Sequence, residues 1–259
     1  MARASKTTDA KKGSGIRWRM WGWAAVAGVV CVSSAAAALK VRRFALDDPQ
    51  FRLSRDRADS LTITGLRYAS KAKVQRVFTA DFGRSIFSIP IDERRRRLLA
   101  VDWVEDASVL RIWPDRVAVQ IVERKPVAFV FLRSGVLLID RQGVLLDPPA
   151  QAQFTFPVLS GVRETETDEQ RRERVHAMLK VQDELGYLAK DVSELNVADT
   201  ENIRIVAQVE SRALELILGD ANFARRYQNF LNHYPEIRKR SPEVKTFDLR
   251  LDDRITAKE

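Results

Sequence analysis

Residues 101–126 read VDWVEDASVLRIWPDRVAVQIVERKP, and the fold prediction starts from this pattern. Near its end, apolar residues alternate with polar or small ones, which is typical of a strand with one buried face. The alternating apolar residues are Val117, Val119 and Ile121. Residues 113–115 form a proline-containing turn. The pattern therefore predicts two strands, residues 101–112 and 116–124, joined as a hairpin.

The segments that precede this hairpin predict one strand and two helices. Residues 61–64, LTIT, alternate apolar and polar side chains, and Gly65 follows them, which indicates a half-buried strand that ends in a turn. Ser70 is placed to cap a first helix, and Asp92 to cap a second helix that continues through Leu99. The order strand–helix–helix–strand–strand predicts an α+β unit with two helices packed on a three-stranded sheet.

These motifs together resemble a POTRA (polypeptide-transport-associated) domain. The resemblance rests on the LTITG opening at residues 61–65, the Trp-Pro-Asp hairpin and the segment VQIVERKP at residues 119–126. It implies a β-α-α-β-β domain over residues 58–126. A charged linker at residues 41–57 precedes this domain.

Residues 127–259 predict a second, mostly antiparallel β domain with two helices. Thr167 opens the first helix, which ends near Gly186, while Asp220 is placed to cap the second helix and Pro235 and Pro242 to close it. Apolar runs separated by turn residues predict strands near residues 128–132, 136–139, 192–197, 203–209, 213–218 and 244–251.

The N-terminal region has the pattern of a membrane anchor. Residues 20–39 contain no charged side chain, and a helix of this length spans about 30 Å, the thickness of the hydrocarbon core. Six basic residues precede this run and three follow it closely, which favours a cytoplasmic N-terminus. We therefore predict a basic cytoplasmic tail at residues 1–19, a transmembrane helix at residues 20–40 and exported domains beyond it. A cleaved signal peptide ending at Ala36–Ala38 is the alternative.

Composition argues against enzymes and nucleic-acid-binding proteins. The net charge is +9, of which +5 lies in residues 1–19, and the chain has one cysteine and two histidines. No nucleotide-binding loop or nucleophile elbow is present. His176 and His233 lack further ligands at suitable spacing, so both are expected at or near the surface. We predict a protein that is not an enzyme and has no catalytic residues, metal, cofactor, nucleic-acid partner or small-molecule substrate.

The whole layout is similar to that of the FtsQ/DivIB bacterial cell-division proteins. A basic tail, a single span, a POTRA module, a β-rich domain and a Phe-Asp-Leu-Arg-Leu strand at residues 247–251 occur in that order. The resemblance implies a non-enzymatic scaffold in the inner membrane at the division septum. It also implies FtsB-like and FtsL-like coiled-coil partners and a link from early division proteins to septal peptidoglycan synthesis.

Two surfaces are candidate binding sites. The first is the C-terminal strand and the residues after it, where a partner is expected to add a strand to the sheet edge; in the FtsQ family the FtsB partner pairs in the matching region. Its candidate residues are Phe247, Leu249, Leu251, Asp252, Asp253, Arg254, Ile255 and Thr256. The apolar side chains at 247, 249 and 251 are also expected to be core. The second surface is an anionic contact by Arg94, Arg95, Arg96 and Arg97, for which the alternative is a solvated helix face.

Two other functions remain open on the sequence alone. A POTRA-bearing factor of outer-membrane biogenesis or secretion would bind unfolded β-strands, and it predicts further POTRA repeats or a following barrel. A cell-wall hydrolase would need a catalytic constellation, which the chain lacks.

Overall fold

The computed structural model describes residues 15–150, 152–252 and 254–258. The chain divides into two compact units. Unit 1 comprises Met1–Gly65, Lys71–Ala100 and Ala107–Ile121. Unit 2 comprises Leu66–Ser70, Val101–Asp106 and Val122–Glu259. Most of the predicted cytoplasmic tail, residues 1–14, lies outside the described residues.

Unit 1 begins with the long helix α1 (Gly15–Asp47), which contains residues 20–40. The helix stops where Asp48 accepts a hydrogen bond from the N–H of Gln50 at 2.9 Å and caps a 3-10 turn at Pro49–Phe51. Proline has no N–H with which to continue the α-helical ladder. Within the described residues, no helix combines the length and the apolar character needed to cross a membrane.

The predicted β-α-α-β-β order is confirmed. Its elements are β1 (Leu61–Thr64), α2 (Lys71–Arg76), α3 (Ile91–Leu99), β2 (Val104–Ile112) and β3 (Arg116–Glu123). The strands lie in the order β1-β3-β2, with β1 parallel to β3. Helix α3 begins after Pro90, so Asp92 lies inside its first turn and the predicted cap is wrong. Gly65 has φ +84°, and a Cβ there would lie 1.9 Å from the carbonyl oxygen of Ile121, so no larger residue fits.

Unit 2 contains a nine-stranded sheet, and its mostly antiparallel pairing is as predicted. The strand order is β12-β11-β10-β9-β8-β7-β4-β5-β6, and only the pairs β4–β7, β7–β8 and β10–β11 are parallel within the described residues. The strands are β4 (Pro126–Leu132), β5 (Gly135–Asp140), β6 (Leu145–Leu146), β7 (Val158–Ser160), β8 (Val192–Asn196), β9 (Ile203–Val209), β10 (Arg212–Gly219), β11 (Thr246–Asp248) and β12 (Thr256–Lys258).

Two helices, α4 (Asp168–Leu185) and α5 (Phe223–Arg240), bury apolar stripes in the core of this unit. The buried residues of α5 recur at helical spacing: Phe223, Tyr227, Phe230 and Tyr234. Burial raises the pKa of Tyr227 to about 12, so this phenol stays neutral at physiological pH.

Two of the four boundaries predicted for these helices are confirmed, one is wrong and one is right only for Pro242. Thr167 opens α4 and Gly186 follows its last residue, both as predicted, and the structure adds a capping box between Thr167 and Gln170. Asn222, in a left-handed conformation and without a side-chain cap, precedes α5 in place of Asp220. Pro235 lies inside α5, which continues to Arg240 and ends just before Pro242, so only the second of the two prolines closes the helix. Core packing of the preceding stripe compensates for the cost of about 3 kcal/mol that an interior proline imposes.

The C-terminal segment is shorter as a strand than residues 244–251. The side chain of Asp248 accepts a hydrogen bond from the N–H of Arg250 at 3.2 Å, which is a turn that ends β11. The chain then reverses, and β12 pairs antiparallel with β11. Phe247 and Leu249 are buried, as predicted, but Leu251 is 54% exposed because it lies beyond the strand. Asp253 lies outside the described residues.

Candidate partner-binding site at the C-terminal sheet edge

The backbone direction of β11 follows from two hydrogen bonds to β10. The N–H of Glu215 donates to the carbonyl of Lys245 at 2.9 Å, and the N–H of Leu249 donates to the carbonyl of Ile217 at 2.9 Å. The odd-numbered positions of this segment therefore point their backbone groups at β10. Since backbone groups alternate along a strand, those of Thr246 and Asp248 point at β12.

The same alternation places the backbone of Ala257 on the outer side of β12. The register pairs Thr246 with Lys258, Phe247 with Ala257 and Asp248 with Thr256. The first and third pairs are thus the hydrogen-bonded ones, and the middle pair leaves the N–H and C=O of Ala257 pointing away from β11. Within the described part of the chain, no strand pairs with this outer side. The unpaired edge of the sheet is therefore β12, which lies among the residues that follow the predicted C-terminal strand.

A charge cluster fastens β12 to β11. The carboxylate of Asp248 lies 2.7 Å from Nη2 of Arg250 and 3.2 Å from Nζ of Lys258 in β12. The hydrogen bond from Arg250, assisted by Lys258, holds the pKa of Asp248 well below its usual range. Nη1 of Arg250 also donates to Oδ1 of Asn202 at 2.9 Å. These side chains therefore stabilise the three-residue pairing of β11 with β12.

A cavity of about 310 Å³ lies beside this edge, between α5 and the segment that connects β11 to β12. Five of the predicted residues line it, namely Leu249, Leu251, Asp252, Arg254 and Ile255. From α5 come Arg225, Arg226, Gln228, Asn229 and Asn232. Sequence reasoning missed these helix residues, although positions 225, 229 and 232 mark the polar face opposite the apolar stripe.

One arginine shapes this cavity. Arg226 donates to Oδ1 of Asp252 at 2.9 Å through Nε and to the carbonyl of Leu218 at 2.6 Å through Nη1. It therefore ties the connecting segment to α5 and to the end of β10. The result is a preformed concave surface with apolar contacts from Leu251 and Ile255 and polar groups from the helix.

The arginine run of α3 does not form one surface. Arg94 is buried, and its guanidinium pairs with Asp81 at 2.5 and 2.8 Å, which raises the pKa of Arg94. Nε of Arg95 donates to the carbonyl of Ala107 at 2.9 Å. Arg96 and Arg97 are exposed, and Arg97 pairs with Glu93. The prediction of an anionic contact is therefore wrong for Arg94, because this side chain packs inward against a buried carboxylate.

The two histidines lie at the surface of their helices. His176 and His233 are both exposed, and Nδ1 of His233 lies 2.8 Å from the carbonyl of Asn229. Over residues 15–150, 152–252 and 254–258, no group of three or more His, Cys, Asp or Glu side chains is arranged to hold a metal ion.

Comparison with known proteins identifies both folded regions. The family model described as "POTRA domain, FtsQ-type" matches residues 57–124. The model described as "Cell division protein FtsQ/DivIB, C-terminal" matches residues 128–250.

Curated relatives agree with these family models. The cell division protein FtsQ of Koribacter versatilis is 36% identical over 212 residues, which are 80% of this chain and 60% of that protein. The FtsQ of Novosphingobium aromaticivorans is 27% identical over 91% of this chain and 68% of its own length. The FtsQ of Bordetella pertussis is 30% identical over 42% of each chain. The match to the Koribacter protein thus spans about three fifths of that relative.

A solved structure, the major extracytoplasmic domain of DivIB from Geobacillus stearothermophilus, is similar over 48% of this chain and 98% of that one. The identity is 19% and the TM-score 0.27. The two family models and the curated relatives show that the chain belongs to the FtsQ/DivIB family of bacterial cell-division proteins.

Proposed function

We propose that this chain is a non-enzymatic scaffold of the division complex that recruits its partner by strand addition at β12. The proposal is carried by one observation: the backbone N–H and C=O of Ala257 point outward from the last strand of the sheet. Strand addition needs an edge with such groups unpaired. Family membership favours this function over outer-membrane biogenesis, the alternative that the sequence left open.

The proposed scaffold is a single-pass protein of the inner membrane, concentrated at the septum. The uncharged run at residues 20–39 and the excess of basic residues before it support an anchor with a cytoplasmic N-terminus. Residues 58–126 would then form a POTRA domain and residues 127–259 a β domain, both outside the cytoplasm. In this arrangement the anchor fixes the height of the domains above the membrane.

The proposed partners are FtsB-like and FtsL-like membrane proteins with coiled coils, and the FtsB-like protein supplies the added strand. Phe247 and Leu249 act from the core by holding β11 in place, since both are buried. Leu251 and Ile255 offer apolar contacts in the cavity beside the strand. Asp252, Asp253, Arg254 and Thr256 complete the proposed contact surface. Other division proteins would bind the POTRA domain.

Proline at position 257 tests this proposal with little disturbance to the fold. The variant Ala257→Pro removes the outward N–H, whereas the hydrogen bonds between β11 and β12 belong to Thr246, Asp248, Thr256 and Lys258. In Ala257→Ser the N–H remains, so this variant is the matched control. The binding partner is the extracytoplasmic segment of the FtsB-like protein, titrated against the full chain in nanodiscs.

We expect the Kd of Ala257→Pro to rise about tenfold or more, which corresponds to ~1.4 kcal/mol, while Ala257→Ser binds like the parent. Circular dichroism and thermal unfolding verify that both variants are folded. An unchanged Kd for a folded Ala257→Pro protein would overturn strand addition at β12. Capture of unfolded outer-membrane precursors in place of the FtsB-like segment would favour the biogenesis alternative.

A further inference from the structure

Three aromatic rings surround a fourth at the surface of unit 1. Phe51 is 3% exposed, and its ring centroid lies 5.5 Å from that of Phe44, 5.4 Å from Phe87 and 5.5 Å from Trp113. The three outer rings are 55%, 40% and 68% exposed, respectively. We call these four residues the aromatic patch. Clustered exposed rings of this kind mark a contact surface, because isolated apolar side chains are common at surfaces and contiguous groups are not.

The aromatic patch is attached to the end of α1. Phe44 lies on the last turns of that helix, and Oγ of Ser85 donates to the carbonyl of Ala45 at 2.6 Å. Nη2 of Arg52 donates to the carbonyl of Asp47 at 3.0 Å. These bonds fix the segments that carry Phe51 and Phe87 to the C-terminal end of α1.

Trp113, the remaining member of the aromatic patch, lies at the tip of the hairpin between β2 and β3. Arg111 donates to the carbonyls of Ile86 and Ile89, both at 2.7 Å, and these residues flank Phe87. The hairpin tip is therefore held against the 3-10 turn at Ile86–Ser88, so Trp113 stays beside Phe51. The patch is a fixed part of unit 1, assembled from three segments of the chain.

The distance of the aromatic patch from the uncharged run at residues 20–39 matches the thickness of one headgroup layer of a membrane. Phe44 follows Leu39, the last residue of that run, by five positions, or ~7 Å along a helix axis. The hydrocarbon core is about 30 Å thick and the whole bilayer about 40–45 Å, so each headgroup layer measures roughly 5–7 Å. Tryptophan, with an apolar ring and a polar N–H, favours this layer, and phenylalanine accompanies it on the apolar face of interfacial helices.

The charges near the patch have the sign that headgroup phosphates attract. Lys40, Arg42 and Arg43 lie between the uncharged run and Phe44 and are exposed. Among the residues that the structure describes, none of the three forms an ion pair with a carboxylate. Cations beside aromatic rings at this depth are the pattern of an interfacial anchor.

We propose that the aromatic patch lies in the headgroup layer of the membrane and holds unit 1 against the bilayer surface. This inference rests on the proposed membrane anchor at residues 20–40. The patch is continuous with that anchor through Phe44, and its cations favour a lipid surface over a second protein. In this arrangement, the height and tilt of unit 1 are set by two attachments, the helix and the patch.

Depth-dependent fluorescence quenching in nanodiscs tests the proposal on the full chain. One variant combines Cys31→Ala with Trp113→Cys and carries an NBD label at position 113. A second variant combines Cys31→Ala with Phe87→Cys and carries the label at position 87, so the result does not depend on one substitution. The matched control is Phe131→Cys, whose parent ring in unit 2 is 62% exposed. The native Cys31, labelled alone, reports on the anchor. The nanodiscs contain phosphatidylcholine and phosphatidylglycerol with shallow or deep doxyl lipids.

We expect shallow doxyl lipids to quench the labels at 113 and 87 about threefold or more above the label at 131, as interfacial burial requires. Quenching of Cys31 by deep doxyl lipids with no quenching at 113 or 87 overturns this inference and leaves the anchor intact. No quenching at Cys31 overturns the anchor, and the inference falls with it. Protection of 113 and 87 only by an added protein partner would assign the patch to that protein and overturn the lipid contact.

Discussion

The arginine run of α3 and the C-terminal segment from β11 to β12 are both rich in charge, but they use it in opposite ways. In α3, Arg94 turns inward to pair with Asp81, and Arg95 bonds to a backbone carbonyl. At the C-terminus, Asp248 draws Arg250 and Lys258 together, and the side chains fix a strand whose outer backbone stays open. Local charge density therefore does not show where side chains point, because α3 turns part of its charge inward while the C-terminal charges support a strand with an unpaired outer edge.

The largest effect is expected on the α3 side of this comparison. Arg94→Ala leaves Asp81, which is 0% exposed, without its close partner. Breaking a buried ion pair from one side costs about 3–5 kcal/mol. We expect urea unfolding of the full chain in detergent to show this loss. The exposed neighbour is the control, because Arg96→Ala should change the free energy of unfolding by less than ~0.5 kcal/mol. Equal effects of the two substitutions would contradict the distinction between inward and outward arginines.

Two leucines divide the C-terminal segment into a core part and a contact part. Leu249 is 2% exposed, so Leu249→Ala should lower the free energy of unfolding by about 2–5 kcal/mol. Leu251 is mostly exposed, so Leu251→Ala should lower it by less than ~0.5 kcal/mol. Affinity for the FtsB-like segment should fall for Leu251→Ala, because this side chain lines the cavity beside the edge. Wild-type affinity in that variant would exclude Leu251 from the contact.

The carboxylate of Asp248 should matter less, and in a pH-dependent way. Since its pKa is lowered in the folded state, its contribution is complete above the unfolded value of about 4 and is lost as the pH falls through the folded value. We expect Asp248→Asn to cost about 1–2 kcal/mol at neutral pH. This difference from the parent should stay constant down to about pH 5 and shrink below about pH 4.

Urea titrations at several pH values measure the difference between the parent and Asp248→Asn. The exposed carboxylate of Asp220 supplies the control substitution, Asp220→Asn. A difference that grows on acidification would contradict the assignment of a lowered pKa to the charge cluster at β12.

The smallest effect is expected for the exposed end of the arginine run. Arg96 and Arg97 remain the members of that run for which an anionic contact is proposed. Reversing both charges, Arg96→Glu with Arg97→Glu, should weaken the binding of an anionic partner at this helix by about 0.5–1 kcal/mol at low salt. At high salt the reversal should have no effect on this binding. Isothermal titration calorimetry at two salt concentrations measures this loss of binding free energy. The free energy of unfolding should be unchanged by the two substitutions. A salt-independent loss, or no loss at all, would reduce these side chains to a solvated helix face.

Sequence patterns predicted the features that depend on neighbouring residues. The start of α4 at Thr167 is a signal within one helical turn, and the alternation of β3 is visible within eight positions. The failures involve distant residues. Pro235 stays helical because its helix packs on the core of unit 2, and Arg94 is buried because Asp81 lies at the end of another turn. The reversal that makes β12 the edge depends on a turn at Asp248 and on pairing across ten residues.

Only part of the candidate site follows from local sequence for the same reason. The C-terminal residues were identified by their position after an alternating strand, which is a local signal. Arg226 and Asn229 were not, because their contribution depends on how α5 packs beside β10 and the connecting segment. Polar residues on an amphipathic helix are usually solvated, so no pattern separates these from their neighbours.

The pairing of β12 with β11 has a consequence for force. Three residue pairs join the two strands, and two of them carry the hydrogen bonds. A partner strand that pulls along the strand axis loads these bonds together, in shear, whereas a pull perpendicular to the axis opens them one after another, like a zipper. A pairing this short therefore resists a pull along the strand axis much better than a pull perpendicular to it. For the proposed strand addition, the angle at which a partner leaves the sheet would therefore set how much tension the pairing of β11 with β12 bears.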